Sequence, residues 1–167
     1  MKNNSFGMPI IPDNEEERLA KLRSLNLLDT YEENGTFKHI AAIASRMFNV
    51  PIALVNLVDR DFVVTKAQAG MDGITKVERG ISLCSLSILR SEVTVFENAR
   101  EEPCLLANPM VTGEFGLQFY AAAPLTTKDG FNIGAVCIVD KASRKFPESD
   151  QKMLESLAAV VMEEIEK

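Results

Sequence analysis

Apolar and polar positions alternate most regularly between Gln118 and Asp140, and this stretch predicts two strands joined by a turn at Asp129-Gly130. Asp-Gly pairs favour the positive backbone φ angles of a hairpin reversal. The second strand is apolar on both of its faces. One face carries Ile133, Ala135, Cys137 and Val139, and the other carries Gly134, Val136 and Ile138. A strand of this kind lies in the middle of a sheet that is covered on both sides.

The first strand of this hairpin leaves space next to the sheet. Its consecutive alanines at positions 121–123 have almost no side-chain bulk, so a packed helix or a ligand is expected to come close there. Pro124 has no backbone N–H to donate, and it therefore marks a bulge or a locally open edge near the end of the strand.

Helical periodicity predicts two helices before the sheet. The first follows Asp13, which stands at capping-box spacing from Glu16, and it carries a narrow leucine stripe. The stripe consists of Leu19, Leu22, Leu25 and Leu28. The second helix follows a break at Asn34-Gly35, can be capped by Thr36, and presents one apolar face to a core.

A final helix is predicted to begin at Pro147, and apolar residues cover more than half of its circumference. These residues are Met153, Leu154, Leu157, Ala158, Val160, Val161 and Ile165. One apolar stripe is enough to cover a sheet. The additional apolar surface of this helix therefore predicts a second packing partner, such as the same helix of another subunit. Replacement of Val161 by glutamate is then expected to leave a folded monomer.

Short apolar runs between the helices predict further strands at residues 52–58, 62–69 and 93–96. Residues 81–89 fit a short helix capped by Ser82 and, by their alternation, also a strand, with the helix as the preferred interpretation. A connection as long as 99–116 inside a compact domain usually has a function. The order of the elements predicts an α+β fold around an antiparallel sheet.

Length and composition predict one domain. The 167 residues suffice for a single sizeable core, assigned to residues 15–167 after a flexible N-terminal arm at 1–14. The net charge of −6 argues against nucleic acid and anionic membranes as partners, and no apolar run is long enough to span a bilayer. Three widely spaced cysteines fit a reducing cytoplasm better than a disulfide framework.

Five stretches of the chain together carry a resemblance to one known family. They are ERLAKLRSLNLLDT (17–30), PIALVNLVD (51–59), RGISLCSLSIL (79–89), ANPMVTGEFGLQFYAAAPL (107–125) and DGFNIGAVCIVD (129–140). With these stretches in this order, the chain resembles a GAF domain of the type found in bacterial signalling proteins, often ahead of histidine kinases or diguanylate cyclases. The resemblance covers roughly residues 15–166.

The resemblance implies a twisted antiparallel sheet with the terminal helices on one face. On the other face it implies a small-molecule ligand pocket roofed by a short helix and loops. It further implies a homodimer through the N- and C-terminal helices, with a kinase or cyclase as a candidate partner. The Asn-Lys-Phe-Asp-Glu set of cyclic-nucleotide GAF domains is absent, as is the Cys-His pair that anchors bilins, so the cofactor stays unknown.

Three places depart from the family pattern. The family usually has Trp-Phe in the second strand, a histidine two residues after the cysteine of the short helix, and an arginine before the Phe-Tyr pair. This chain has Val64-Thr65, Leu86 and Gln118 there. Because these side chains are smaller or neutral, we expect the domain to bind a different ligand from its relatives, or none.

The candidate ligand-binding residues are Val64, Arg79, Ser82, Cys84, Asn108, Gln118 and Tyr120. Tyr120 offers an apolar ring with a polar tip, which is useful at the mouth of a pocket. Asn108 fits turn chemistry before Pro109 at least as well, and Arg79 also fits a surface ion pair.

Cys84 is the candidate for a reactive thiol. A nearby cation or a helix start would lower its pKa, and Arg79 and Ser82 are candidates to supply this effect. The simpler interpretation is a small buried apolar residue. Cys137, inside the central strand, is expected in the core, and Cys104 is expected in an exposed part of the long loop.

The sequence contains none of the familiar catalytic motifs: no P-loop, no GxGxxG after a strand, no HExxH and no GxSxG. His39 is the only histidine, and no spacing supplies further metal ligands, so no metal site is predicted. The leading hypothesis is a sensory or regulatory module that acts through ligand binding and dimerisation without catalysis. The alternatives are a pure dimerisation scaffold and a cysteine-dependent reductase of free methionine sulfoxide, which needs a second thiol within bonding reach.

Overall fold

The structure is a computed structural model that describes residues 4–28, 35–73 and 75–167. Helices α1 to α5 span Glu15–Ser24, Thr36–Phe48, Cys84–Ser87, Pro109–Thr112 and Glu148–Ile165. Strands β1 to β6 span Ile52–Val58, Phe62–Ala69, Lys76–Glu78, Thr94–Phe96, Phe119–Thr126 and Asn132–Asp140. The loop between β4 and β5 contains two 3₁₀ turns, at Ala99–Glu101 and Pro103–Leu105.

The strands form one antiparallel sheet in the order β3-β2-β1-β6-β5-β4. Strand β6 lies between β1 and β5 and is buried along its length, as its two apolar faces predict. Helices α2 and α5 cover one face of the sheet, where Leu22 of α1 joins the same core. Helices α3 and α4 and the loop before β5, together called the roof, cover the other face. The predicted α+β fold is confirmed.

Irregularities in the hairpin change where some side chains lie. A register shift next to Thr126 places Ile133 in the core under α2 and α5, whereas Cys137 and Val139 lie under the roof. The assignment of Ile133 and Cys137 to one face is therefore wrong, because strict alternation does not foresee a bulge. In the turn, Gly130 has a positive φ of 92° but Asp129 does not.

The open edge predicted at Pro124 is present. Strand β4 pairs with residues 120–122 of β5, so the ladder on that side ends before Pro124. Ala121 and Ala123 lie in the core under α5, while Ala122 lies under the roof. The small side chains of β5 thus allow close packing on both faces.

The apolar residues of α5 divide into a buried stripe and an exposed pair. Met153 and Val160 are 41% and 42% exposed, whereas Val161 is fully buried in the core. A glutamate at 161 would place a charge in that core, so the expectation of a folded Val161→Glu monomer is wrong. Pro147 caps α5 and the helix itself begins at Glu148. No helix in the described ranges is long and apolar enough to cross a membrane.

The segment predicted as a flexible arm packs against the roof from residue 4 onward. Phe6 and Ile10 are buried and belong to the core under the roof. The backbone N–H and the hydroxyl of Ser5 both donate to the carbonyl of Gly80, at 2.9 and 2.7 Å. Two apolar side chains and a local hydrogen-bond network therefore attach this segment to the domain.

A buried ionic cluster holds the start of α1 against the end of the sheet. The carboxylate of Glu15 accepts hydrogen bonds from Arg18 and from Arg79, each with an N–O distance of 3.0 Å. Arg18 also donates to the carbonyl of Val58 at 2.7 Å. The N-cap of α1 is Asn14, whose side chain makes no capping bond, so the capping box predicted at Asp13 is not what starts this helix.

Candidate functional site

A small cavity of about 50 Å³ lies between the sheet and the roof. The sheet contributes Asn56, Tyr120 and Cys137 to its wall, and the roof contributes Ser82 and Cys84. The half-buried side chains of residues 71, 110 and 115 complete the wall on its outer side. A wider groove of about 680 Å³ lies against β2, but no cysteine or histidine lines it, so the smaller cavity, which is lined by two cysteines, is the stronger candidate site.

Cys84 and Cys137 bring their thiols together at this cavity, with 3.7 Å between the two sulfur atoms. Cys84 is the first residue of α3, and Cys137 lies in the middle of β6, opposite Leu54 of β1 and Ala122 of β5. Both cysteines are 1% exposed. Strand alternation directs Cys137 towards the roof, where the short helix α3 holds Cys84 against it.

Two polar side chains of the sheet donate hydrogen bonds to these sulfur atoms. The hydroxyl of Tyr120 donates to Cys84 at 3.0 Å, and the amide nitrogen of Asn56 lies 3.3 Å from the sulfur of Cys84 and 3.9 Å from that of Cys137. The amide oxygen of Asn56 is buried and has no hydrogen-bond partner among the described residues. An orphaned buried acceptor costs about 1–3 kcal/mol, so this oxygen is a ready acceptor for a small donor molecule in the cavity.

This arrangement shifts the pKa values of the two thiols in opposite directions. Hydrogen bonds from Cys137, Tyr120 and Asn56 stabilise the thiolate of Cys84 and outweigh its burial, which lowers the pKa of Cys84 to about 7. The hydrogen bond to Cys84 and burial raise the pKa of Cys137 well above its ordinary value. Burial and the charge of the neighbouring thiolate raise the pKa of Tyr120, so its phenol stays a donor.

The chemistry available here is that of one thiolate beside one protonated thiol. A thiolate is the nucleophilic form of cysteine, and a second thiol in contact allows disulfide formation. Within the described parts of the chain, no group of three or more His, Cys, Asp or Glu side chains is arranged to hold a metal ion.

Three of the predicted site residues, Ser82, Cys84 and Tyr120, line the cavity. Val64 does not, because it pairs with Leu57, whose side chain belongs to the core under α2 and α5. The neighbouring Thr65 lines the cavity instead. The second strand therefore contributes to the site through the residue next to the predicted one.

The other predicted residues have structural contacts elsewhere. Arg79 is fully buried in the ionic cluster with Glu15. The side-chain oxygen of Asn108 accepts from the N–H of Met110, and its amide nitrogen donates to the carbonyl of Ile81 at 2.8 Å, so Asn108 has the turn-forming role weighed from the sequence. Gln118 precedes β5, where its backbone pairs with Ala99 and Asp140, and it does not line the cavity.

Sequence reasoning missed Asn56 and the role of Cys137. A signal for Asn56 was present, because an amide in the middle of the apolar run IALVNLV at 52–58 has to find a buried partner. Nothing in the sequence indicated that Cys137 would contact Cys84, since that contact depends on the height of the roof above the sheet.

Comparisons with known proteins agree with this fold and place it in a signalling context. Over 158 residues the chain is 36% identical to a cyclic di-GMP phosphodiesterase of Pseudomonas aeruginosa; the match covers 94% of this chain and 27% of that protein. The chain thus spans about a quarter of the length of this curated relative.

Solved structures match over most of their length. The GAF domain of a phosphoenolpyruvate-protein phosphotransferase from Coxiella burnetii superposes with a TM-score of 0.66 at 18% identity, over 91% of this chain and 92% of that one. A free methionine-R-sulfoxide reductase from Neisseria meningitidis, solved with its substrate, superposes with a TM-score of 0.65 at 20% identity, over 90% and 87% of the two chains. At these identities the likeness shows the fold alone. The sequence model of the GAF domain family matches residues 32–165 of this chain. The chain therefore belongs to the GAF domain family.

Proposed function

We propose that this domain is a sensory or regulatory module of a signalling system, which responds to a small polar molecule in the cavity under its roof. The observation that carries the proposal is the small cavity together with the amide oxygen of Asn56, which has no hydrogen-bond partner among the described residues. A buried acceptor without a partner favours a guest that can donate a hydrogen bond. Membership of the GAF family and the similarity to a cyclic di-GMP phosphodiesterase support a signalling role.

The size of the cavity limits the guest. Pockets for drug-sized ligands have volumes of about 300–1,000 Å³. A cavity of about 50 Å³ holds only a molecule of a few atoms unless the roof moves. A nucleotide or a bilin therefore does not fit this conformation, which agrees with the absence of the family's sequence signatures for those ligands.

The response is proposed to be transmitted through helices α2 and α5, which cover the face of the sheet opposite the roof. Ile43 and Met47 of α2 and Met153 and Val160 of α5 expose large apolar side chains, each more than two-fifths exposed. These positions support a homodimer interface between equivalent helices. In a longer protein, or in a complex with another chain, the helices would act on an output domain such as a phosphodiesterase, kinase or cyclase. The cytoplasm is the proposed location, because the cysteines are free thiols.

A native mass spectrum of gently purified protein tests this proposal. The expected result is a dimer that carries extra mass from a small molecule, and replacement of Asn56 by leucine is expected to remove that mass. Small polar candidates identified in this way should raise the melting temperature, because a ligand that binds only the folded state stabilises it. A dimer of bare chain mass that no polar candidate stabilises would contradict the sensor and favour a pure scaffold.

The contact between Cys84 and Cys137 favours a second candidate, a reductase of free methionine sulfoxide. Such a reaction needs a thiolate and a second thiol within bonding reach, and this pair meets that need. The cavity is small for an amino acid substrate, which makes this the weaker candidate. A thiol-linked assay on free methionine sulfoxide decides between them: turnover that disappears in Cys84→Ser would establish the enzyme.

A further inference from the structure

We propose that Cys84 and Cys137 form a peroxide-sensitive dithiol, in which a small hydroperoxide entering the cavity oxidises the pair to a disulfide that ties the roof to the sheet. The sulfur atoms are 3.7 Å apart and must approach to about 2.0 Å to form a bond. Cys84 belongs to a helix of only four residues in the roof, so a small movement of that helix can close the gap. This chemistry goes beyond the proposed sensory function and does not require a reversible ligand.

The hydrogen-bond donors around Cys84 prepare it for the first step. The hydroxyl of Tyr120 and the amide of Asn56 both donate to its sulfur, which favours the thiolate over the thiol. Cys104, in the roof loop, provides an internal contrast, since burial together with the charge of Glu102 raises its pKa. Cys84 is therefore the thiol expected to react first.

The cavity selects the oxidant by size. A volume of about 50 Å³ admits hydrogen peroxide, because a single water needs only about 10–15 Å³. The same volume excludes a disulfide such as oxidised glutathione. The amide oxygen of Asn56, for which the described residues supply no donor, offers an acceptor for a hydroxyl group of the peroxide.

The reaction balances with hydrogen peroxide as the only oxidant. The thiolate of Cys84 attacks one peroxide oxygen, so an S–O bond forms, the O–O bond breaks, and the departing hydroxide takes up a proton to become water. The sulfur of Cys137 then attacks the sulfur of the Cys84 sulfenic acid, so an S–S bond forms and the S–O bond breaks. The hydroxide released in this step takes the proton of the Cys137 thiol. In total, two thiols are oxidised and one peroxide is reduced to two waters.

The test treats the reduced full chain with hydrogen peroxide, denatures it, alkylates the remaining thiols and records the intact mass. The expected product keeps one alkylatable cysteine of the three, Cys104, and a non-reducing peptide map links residue 84 to residue 137. Cys104→Ser should form the same link. Cys137→Ser should stop at a sulfenic acid on Cys84 that dimedone traps, and Cys84→Ser should consume peroxide at least about tenfold more slowly.

Clear outcomes would overturn the proposal. A cross-link that involves Cys104, or three alkylated cysteines after full exposure, would contradict it. Equal reactivity of hydrogen peroxide and oxidised glutathione would contradict the selection by size, and unfolding in urea should abolish that selection. A native mass spectrum without a bound small molecule would contradict the sensory proposal but not the disulfide proposal. The peptide map of the wild-type protein reports on the disulfide by itself.

Discussion

The thiol of Cys84 lies 3.7 Å from the thiol of Cys137, although the residues are 53 positions apart in the chain. The contact joins the roof to the central strand of the sheet. It is possible because Ala122 and Ala135, which flank Cys137 on the same face, are small. The pair therefore connects two parts of the fold and also brings two thiols into contact.

Replacement of Tyr120 by phenylalanine tests what lowers the pKa of Cys84. The variant keeps the ring in the core but removes the hydroxyl that donates to the thiolate at 3.0 Å. Loss of one hydrogen bond to a charged group should reduce the thiolate fraction, and with it the rate of peroxide oxidation at pH 7, by about tenfold. In the wild type the rate should rise as the pH rises through about 7. An unchanged rate and pH profile in Tyr120→Phe would rule out this role, and alkylation of Cys104 serves as the internal control.

Asn56→Leu should make the protein more stable and less reactive. Leucine has a similar size and removes the orphaned amide oxygen, which should raise the free energy of unfolding by about 1 kcal/mol. It also removes a donor to Cys84, so peroxide oxidation should slow. Thr94→Val is the matched control, because the hydroxyl of Thr94 is likewise buried without a partner among the described residues but does not line the cavity. Urea denaturation and the oxidation assay should show both effects in the first variant and only the stability effect in the control.

Arg79→Met should destabilise the fold strongly. Arg79 is fully buried, and its loss would leave the carboxylate of Glu15 with Arg18 as its charged partner among the described residues. Breaking a buried ion pair costs about 3–5 kcal/mol, which urea denaturation measures directly. Arg60→Met is the control, since Arg60 pairs with Glu16 on the surface and should change little. Similar small changes in both variants would show that the buried cluster contributes little.

A low pH should reduce the free energy of unfolding through the buried ionic cluster of Glu15, Arg18 and Arg79. Burial raises the pKa of Glu15, but hydrogen bonds from Arg79 and Arg18 and their charges outweigh it, so the folded-state pKa lies below the ordinary 4.5. A group of this kind contributes its stability fully above its unfolded pKa, and the contribution is lost as the pH falls through the folded value. The free energy of unfolding should therefore decline below about pH 4.5, and Glu15→Gln should have a lower, flatter profile. A variant with an acid profile as steep as that of the wild type would exclude Glu15 as the cause.

Val160→Glu tests the proposed homodimer. Val160 is 42% exposed on α5, so a charge there should leave the monomer folded and prevent apolar pairing of the helices. Light scattering should then report a monomer, with a circular dichroism spectrum like that of the wild type. Val161→Glu should unfold the protein because Val161 is fully buried, and Lys152→Glu, on a highly exposed side chain, should change neither property. A Val160→Glu variant that remains dimeric would exclude this interface.

Much of the fold follows from local sequence patterns. The runs at 52–58 and 62–69 became β1 and β2 with the predicted bounds, because strand formation there depends on local apolar alternation and on turn residues between them. The central position of β6 followed from its two apolar faces, and the order of the motifs was sufficient to indicate the family.

Tertiary structure decided the rest, because the site consists of contacts between distant segments. An extra residue of β2 opposite Val55 and Asn56 of β1, and a register shift at Thr126, determine which face each side chain occupies, and these depend on how strands pair. Burial, which no single segment determines, turned Arg79 from a pocket candidate into part of an ionic cluster. The sequence by itself determined a GAF fold with three cysteines. Only the packing of the roof on the sheet decided that two of them touch.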